Sequence, residues 1–169
     1  MNAVLLFTLV ACGPDTSQVV QGIHSDNPAV REDMVEFARK VEEPKVVGAL
    51  MASLEDPSEA IRIKAVQSLA ALGHKGATAP LVDRLVIETS PAVKREIIDA
   101  LGRIADDRAV PALLLIAQDT PADDVPLNVV WALGNIGDRR ALPVLSRLRE
   151  ESTDPYVVYN ANVALRKVK

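Results

Sequence analysis

The feature that most constrains this chain is an internal repeat with a period of about 32 residues, in the range of stacked repeat architectures. Along one helix face the same residue recurs at this interval, at Leu69, Leu101, Leu133 and Leu165. Three further apolar sets keep the interval: Ile61, Val93, Val125 and Val157; Ala65, Ile97, Val129 and Ala161; Leu72, Ile104, Ile136 and Val168. Within a unit these positions lie three or four residues apart, as on one face of an α-helix. Each unit is therefore predicted to contain a helix that buries one side.

The stretches between these helices predict one more helix in each unit, which is the first helix of its pair. Leu81, Leu113 and Leu145 keep the same interval, and a proline lies one or two residues before each of them. An earlier copy of the buried stripe, from Val30 to Val41, is offset from the next copy by 31 residues rather than 32. The boundaries of the resulting helix pairs are approximately 16–43, 44–74, 75–106, 107–138 and 139–169. Because stacked pairs bury a continuous core, the predicted fold class is all-α, an α-solenoid of about five pairs over residues 16–169.

Prolines and glycines predict where the helices begin and end. Five prolines follow a side chain that can cap a helix: Asn27–Pro28, Asp56–Pro57, Ser90–Pro91, Thr120–Pro121 and Asp154–Pro155. A capping oxygen accepts a free amide of the first turn, and proline at the first helical position loses no hydrogen bond. Glycines are predicted at the far ends of helices or in the turns beyond them, where a positive φ is tolerated: Gly73, Gly102, Gly134 and Gly137.

Composition and charge exclude several classes of function. The net charge of −4 and the pI near 5.2 argue against nucleic-acid binding, which usually requires a basic surface. One cysteine and two separated histidines, His24 and His74, cannot form a Cys/His metal cluster. No nucleophile elbow, phosphate-binding loop or dinucleotide fingerprint occurs. The chain is therefore predicted to be non-enzymatic, without metal or cofactor.

The first residues form a short apolar segment that ends at the only cysteine. Ala3–Val10 carries no charge and is too short to span a bilayer. Leu9, Ala11 and Cys12 resemble a bacterial lipobox, which implies that residues 1–11 are a signal peptide and that Cys12 carries a lipid. Residues 12–15 are then a tether, and the protein is anchored in the bacterial cell envelope, at a periplasmic or outer face. The alternative is an ordinary helix with Cys12 buried, in a cytoplasmic protein.

The repeat itself is similar to a known family. The stretches Val93–Ile104, Asp107–Leu114 and Trp131–Leu145 resemble the HEAT-like repeats of phycobilin lyases, and the resemblance extends from about residue 16 to the end. It implies a right-handed α-α superhelix whose concave surface is lined by the second helix of each pair. It also implies a ladder along the stack, with Arg31, Arg62 and Lys94 as bases and Asp106 and Asp138 as turn acids. We expect these bases to be structural rather than ligand-binding.

Two rows of residues are expected on the concave surface. One is Asp33, Lys64, Glu96, Asn128 and Asn160, and the other is Glu36, Gln67, Asp99, Trp131 and Val163. Trp131 replaces the polar residues of the sister units, and both tyrosines are nearby. Exposed aromatic residues are typical of binding hot spots. The predicted partner-binding residues are Trp131, Asn128, Tyr156, Tyr159, Asn160, Val163, Asp99 and Glu96. In the alternative interpretation, Tyr156 and Tyr159 cover the open end of the stack and Trp131 lies flat on a neighbouring helix.

Two hypotheses of function follow. The first is a membrane-anchored bacterial scaffold that holds a protein partner on its concave surface. The second is a cytosolic lyase-like or chaperone-like subunit that helps to attach a bilin to a phycobiliprotein, as members of the resembled family do. Cleavage before Cys12 favours the first hypothesis, and an intact N-terminus favours the second.

Overall fold

The computed structural model describes residues 13–168 as ten α-helices in five antiparallel pairs. The pairs are α1 Thr16–Ile23 and α2 Pro28–Ala38; α3 Pro44–Ala52 and α4 Glu59–Leu72; α5 Thr78–Ile87 and α6 Pro91–Ile104; α7 Val110–Asp119 and α8 Leu127–Ile136; α9 Leu142–Glu151 and α10 Pro155–Lys167. The predicted all-α solenoid is therefore confirmed. The predicted signal peptide and Cys12 lie outside the described residues.

Helix starts follow the predicted caps in three of five cases. The side chains of Asn27, Ser90 and Asp154 each accept a backbone N–H of the first turn of α2, α6 and α10. The other two starts were predicted wrongly. Asp56 accepts the amide of Ser58, so that α4 begins at Glu59, and a 3-10 helix, Ala122–Asp124, delays α8 until Leu127.

The turns after α4, α6 and α8 place a left-handed residue at one and the same repeat position. Gly73 and Gly137 have φ values of 62° and 72°, as predicted from their place at helix ends. The equivalent position between them is Ala105, with φ 52°. A Cβ at positive φ is strained by about 1–2 kcal/mol, so this turn stores strain that its sister turns avoid.

Replacing Ala105 with glycine is expected to raise the free energy of unfolding by about 1 kcal/mol, because the strain at positive φ is relieved. Thermal and urea unfolding would measure the change. Ala71→Gly on the exposed side of α4 is the control and should lower stability by about 1 kcal/mol through loss of helix propensity. A loss of stability in both variants would contradict the strain at Ala105.

The second helices pack directly on one another along the whole array. Helix α2 contacts α4, α4 contacts α6, α6 contacts α8, and α8 contacts α10, while within residues 13–168 the first helices contact each other closely only at the two ends. Closer packing on one side curves a stack toward that side, so the second helices line the inner surface. We call this surface, formed by α2, α4, α6, α8 and α10, the inner surface.

Two glycines allow the closest of these contacts. Gly102 of α6 and Gly134 of α8 are buried in the last turn of their helices, near the ends as predicted, but neither has the positive φ that explained the prediction. A Cβ on Gly134 would lie 2.6 Å from Cβ and 2.8 Å from Cα of Ala164 in α10. A Cβ on Gly102 would lie 2.9 Å from Cα of Ala132 in α8. Both glycines are therefore required by helix–helix approach rather than by backbone conformation.

The core is continuous through all five pairs. Three of the four predicted stripes are buried apart from Leu165 of the last pair, and Leu69, Leu101 and Leu133 are at 0% exposure. In the fourth stripe Ile104 is buried, and the other three residues are half-buried. Among the helices of residues 13–168, none has the length and apolarity needed to cross a membrane.

Candidate functional site

The inner surface carries the two predicted rows, and their character changes along the array. In the first three units the rows are polar or charged, and within them Lys64 pairs with Glu32 at 3.3 Å and Gln67 donates to Glu96 at 3.1 Å. In the last two units the same rows become Asn128, Asn160, Trp131 and Val163. Part of the charged surface is therefore paired internally, and the uncharged part is confined to α8 and α10.

The uncharged part has a cluster of exposed apolar and aromatic side chains. The exposed fractions are 71% for Tyr156, 67% for Tyr159, 41% for Leu127 and 36% for Trp131, and Val163 is half-buried beside them in the repeat register. We call these five residues the aromatic patch. Exposed aromatic area of this kind on one surface is typical of a binding site.

Trp131 has a packing role as well as an exposed edge. Its indole ring lies over Gly102, because a Cβ built on that glycine would come within 2.5 Å of Trp131 Cζ3. The missing side chain of Gly102 therefore leaves room for the ring on α6. Both interpretations made from the sequence hold in part, since Trp131 lies against a neighbouring helix and still exposes about a third of its surface.

Trp131→Ala is expected to lower the free energy of unfolding by about 2 kcal/mol, less than the 3–5 kcal/mol of a fully buried tryptophan. Chemical unfolding followed by far-UV circular dichroism would measure it. Tyr159→Ala is the control, and we expect its effect to stay within about 0.5 kcal/mol because the ring is exposed. Equal losses in the two variants would contradict the packing of Trp131 on Gly102.

The repeat positions of the two tyrosines are exposed in the preceding unit as well. Position 159 corresponds to Leu127 in the preceding unit, and position 156 corresponds to Asp124. Leu127 and Asp124 are both exposed, although the fifth helix pair is stacked on the fourth. The exposure of the two tyrosines therefore does not depend on their place in the last pair, which favours a surface role for them over covering the open end of the stack.

Polar substitutions cap the last pair instead. Position 162 is Asn where the preceding units have buried Val66, Ile98 and Val130. Position 149 is an exposed Arg, where two preceding units have the buried residues Leu85 and Ala117. Position 166 is also an exposed Arg, where the same units have Gly102 and Gly134. A further unit stacked on this face would bury two guanidinium groups, which is costly. The end face is thus solvated without help from the aromatic patch.

The two asparagines beside the patch are held by backbone carbonyls. Asn128 Nδ2 donates to the carbonyl of Arg95 at 3.2 Å, and Asn160 Nδ2 donates to the carbonyl of Tyr156 at 2.8 Å. Each amide nitrogen has a second N–H that these bonds do not use. The predicted residues Glu96 and Asp99 lie on α6, next to α8, and both are half-buried. The structure thus places six of the eight predicted residues on α8 and α10 and two on the adjacent helix.

The predicted ladder is present, but with different acids. Arg31 Nε donates to Asp56 at 2.7 Å, and Arg62 Nε donates to Glu88 at 2.9 Å, each pair joining successive units. Lys94 is exposed. Asp106 and Asp138 instead accept from Arg108 and Arg140, two residues later in the same turn. These two acids were assigned wrongly, because their nearest bases come from the turn itself.

Glu88 is the most enclosed carboxylate of the ladder, with a side chain that is 0% exposed. Burial alone would raise its pKa, but hydrogen bonds from Arg62, the Ser90 amide, Arg84 and the Thr89 amide lower the pKa of Glu88 to about 2. The guanidinium of Arg62 also donates to the carbonyls of Asp56 and Pro57. The Nε, Nη1 and Nη2 atoms of Arg62 thus all donate within the protein, which favours a structural role for Arg62 over ligand binding.

Acid is expected to destabilise the protein through Glu88. Its folded pKa of about 2 lies below the unfolded value, so its contribution is complete above about pH 4.5 and is lost as the pH falls toward 2. Melting temperatures measured from pH 7 to pH 2 should decline over this window. A Glu88→Gln variant, already destabilised, should show a flatter decline. An unchanged slope in the variant would contradict the pKa of Glu88.

A cavity of about 350 Å³ lies beside the first rung of the ladder, between the α1–α2 turn and the end of α3. Its wall includes Arg31 and Asp56. Since Arg31 also donates to the carbonyls of Ser25 and Asp26, its guanidinium has few donors left for a ligand. Within the described part of the chain, no group of three or more His, Cys, Asp and Glu side chains is placed to hold a metal ion.

The comparisons with known proteins concern mainly the repeat architecture. A family model described as HEAT repeats matches residues 16–89 and 78–166. No curated protein sequence matches the chain. The complex of CpcE and CpcF of phycocyanin lyase from Nostoc sp. PCC7120 contains a similar chain, with a TM-score of 0.78 and 23% identity over 99% of this chain and 70% of the other.

Two engineered proteins are also similar. A designed armadillo repeat protein in complex with the peptide (KR)4 has a TM-score of 0.69 and 24% identity, over 90% of this chain and 81% of the other. Another engineered protein has a TM-score of 0.64 and 23% identity, over 89% of this chain and 77% of the other. At these identities the similarity establishes the fold.

Proposed function

Because the chain belongs to the family of HEAT repeats, we propose that it is a non-enzymatic scaffold that holds a protein partner on its inner surface. The observation that carries the proposal is the aromatic patch on α8 and α10. Its tyrosines expose about two thirds of their area and are not members of the buried core. Exposed tyrosine and tryptophan contribute much of the energy in protein interfaces.

Two of the similar structures support a binding role. One is a complex of two phycocyanin lyase subunits, and another is a repeat protein in complex with a peptide. Stacked helix pairs offer a long surface on which successive units each contribute a few contacts. The same use of the fold in this chain would place the partner along α6, α8 and α10, next to Glu96 and Asp99.

A photo-crosslinking amino acid placed at Tyr159, in cells that make the protein, would test this proposal. The crosslinked partner is then purified, and its affinity is measured for the wild-type chain, Tyr159→Ala and Leu115→Ala. Leu115 is the matched control because it is 59% exposed on the first helix α7, away from the inner surface. We expect Tyr159→Ala to weaken binding by at least about tenfold and Leu115→Ala to leave it unchanged. Equal effects would overturn the proposal.

We also propose that the scaffold is lipid-anchored at Cys12 in a bacterial cell envelope. The support is the sequence pattern of Leu9, Ala11 and Cys12. Asp15 already caps α1, accepting the amide of Gln18, so only Gly13 and Pro14 separate the lipid from the first helix cap. The array would then begin at the membrane surface, and the aromatic patch would lie about 30 Å further along, three unit spacings of about 10 Å. A partner at that distance is clear of the lipid headgroups.

Anchoring is tested by expressing the wild-type chain and Cys12→Ala in a bacterium, fractionating the cells and measuring intact masses. The proposal expects a membrane-bound product without residues 1–11 that carries acyl mass, and a Cys12→Ala product that is neither cleaved nor acylated. An uncleaved, soluble product from both genes would overturn the anchor. It would leave the binding proposal standing, since the aromatic patch does not depend on Cys12.

The competing proposal is a lyase-like or chaperone-like subunit for bilin attachment, supported by the similarity to the phycocyanin lyase complex. It requires the chain or its complex to contact a bilin. Titration of the purified chain with a free bilin, followed by visible absorbance, tests it. A saturable red shift that Tyr159→Ala abolishes would favour this role over the scaffold, and an unchanged spectrum would remove it.

A further inference from the structure

We propose that the segment bound by the aromatic patch is proline-rich, in polyproline II conformation, with a basic residue beside the prolines. This inference rests on the proposed function and specifies the chemistry of the partner. It follows from three properties of the patch: its hydrogen-bonding groups, the spacing of its helices and the charge at its edge.

The patch and the two asparagines beside it offer five hydrogen-bond donors, and the tyrosine hydroxyls and asparagine oxygens can also accept. The indole N–H of Trp131, the hydroxyls of Tyr156 and Tyr159, and the second amide N–H of Asn128 and Asn160 can all donate. The residues of the patch include no carboxylate. A proline-rich segment is the complementary ligand, because proline has a carbonyl acceptor but no backbone N–H. Its rings also present apolar faces that pack on aromatic side chains, as in other domains that bind polyproline II segments.

The spacing of the second helices matches the period of this conformation. Helices packed side by side lie about 8–10 Å apart. One turn of polyproline II has three residues and advances about 9.3 Å. A segment that runs along the array therefore places every third residue over a successive second helix. One proline would lie over Leu127 and Trp131 of α8, and the proline three residues away would lie over Tyr159 and Val163 of α10.

The edge of the patch at the start of α8 is acidic, whereas the edge toward α6 carries the exposed Arg95, at the repeat position of Leu127. Asp124 lies in the 3-10 helix before α8, is exposed, and occupies the repeat position of Tyr156 in the adjacent unit. Asp119, at the end of α7, is also exposed. Helix α9 packs on the 3-10 helix, but its Arg147 pairs with Glu151 and donates to the carbonyl of Ala117. A Lys or Arg beside the prolines would supply the charge that this edge lacks.

Trp131 is the only tryptophan of the chain, so its fluorescence reports on the patch without interference. The probe is an acetylated peptide of about ten prolines ending in arginine, which adopts polyproline II in water. Two control peptides replace the prolines by alternating glycine and serine, or the arginine by glutamate. We expect saturable binding of the first peptide in the micromolar range, and binding at least about tenfold weaker for the glycine–serine control. The glutamate control should bind less well at low salt, and the difference should shrink at high salt.

Exposed residues provide variants that keep the fold. Tyr156→Ala and Tyr159→Ala should each weaken binding about fivefold or more, and Asp124→Asn should remove the preference for arginine over glutamate. Leu115→Ala on α7 is the control and should bind as the wild type does. Equal binding of the glycine–serine peptide, an unchanged affinity of Tyr159→Ala, or no saturable change in fluorescence would each overturn the inference.

The failure of this inference can be distinguished from the failure of the proposed function. A crosslinked partner that depends on Tyr159 but contacts it through a helix, or through a segment without proline, overturns the polyproline inference and leaves the scaffold. The absence of any partner that depends on Tyr159 overturns both. A partner that the proline peptide displaces in competition supports both.

Discussion

Gly134→Ala is expected to lower the free energy of unfolding by about 2 kcal/mol through overpacking, although alanine is the better helix former. The new Cβ would lie 2.6 Å from Cβ and 2.8 Å from Cα of Ala164, and the second of these is a backbone atom that no rotamer change can move. Helices α8 and α10 must then separate along their whole contact. Overpacking of this kind costs about 1–3 kcal/mol beyond the gain in helix propensity. Urea unfolding monitored by circular dichroism gives the value.

Gly48 provides the matched control for the same substitution. It lies inside α3, is exposed, and has no atom within 4 Å of its would-be Cβ. Gly48→Ala should therefore raise stability by up to about 1 kcal/mol. The double variant Gly134→Ala with Ala164→Gly should regain part of the loss, because the methyl group moves from one helix to the other. Stabilisation by Gly134→Ala would mean that α8 and α10 are further apart than described.

Glu88→Gln is expected to cost about 3 kcal/mol, in the range found when one partner of a buried ion pair is removed. The variant keeps the shape of the side chain and removes its charge. The guanidinium of Arg62, with a side chain only 10% exposed, then loses its charge partner at the end of α5, and Arg84 loses the same partner. The measurement is again the free energy of unfolding, at pH 7.

Glu150→Gln is the control for this substitution. Glu150 pairs with Arg149 at 2.6 Å, but the two side chains are 66% and 41% exposed. An exposed pair contributes at most about 1 kcal/mol, so this variant should be nearly as stable as the wild type. If Glu88→Gln cost no more than Glu150→Gln, the ladder would have to be accessible to water.

The sequence predicted well what depends on periodicity. The repeat interval identified the second helices, and their stripes are the core of the structure. The sequence predicted less well the features that depend on contacts between units. Gly134 reads as a helix end because glycine is common there, but only the approach of Ala164 explains why the last turn of α8 needs a glycine. Thr120–Pro121 reads as a cap, yet Thr120 turns back to bond the carbonyl of Ile116.

The ladder shows the same limit. Arg31 and Arg62 were recognised from their place in the repeat, but their acids, Asp56 and Glu88, lie 25 and 26 residues further along the chain. Glu88 follows the end of α5 and lies one repeat interval, 32 residues, after Asp56, so the two acids share a repeat position. The next two units have Thr120 and Ser152 there, so this acidic signal extends over only two units. Sequence reasoning could identify candidates for the inner surface, since Trp131 departs from its row. The ring's contact with Gly102 depends on how closely two helices approach.

The polar end face of the last pair has a consequence for assembly. An array of similar units can in principle add the start of one molecule to the end of another, and such head-to-tail contacts do not close but grow into filaments. Arg149 and Arg166 oppose this growth, because each would lose its hydration when a second molecule covered the face. The protein can therefore expose a hydrophobic patch of tyrosine and tryptophan while the neighbouring end face disfavours polymerisation.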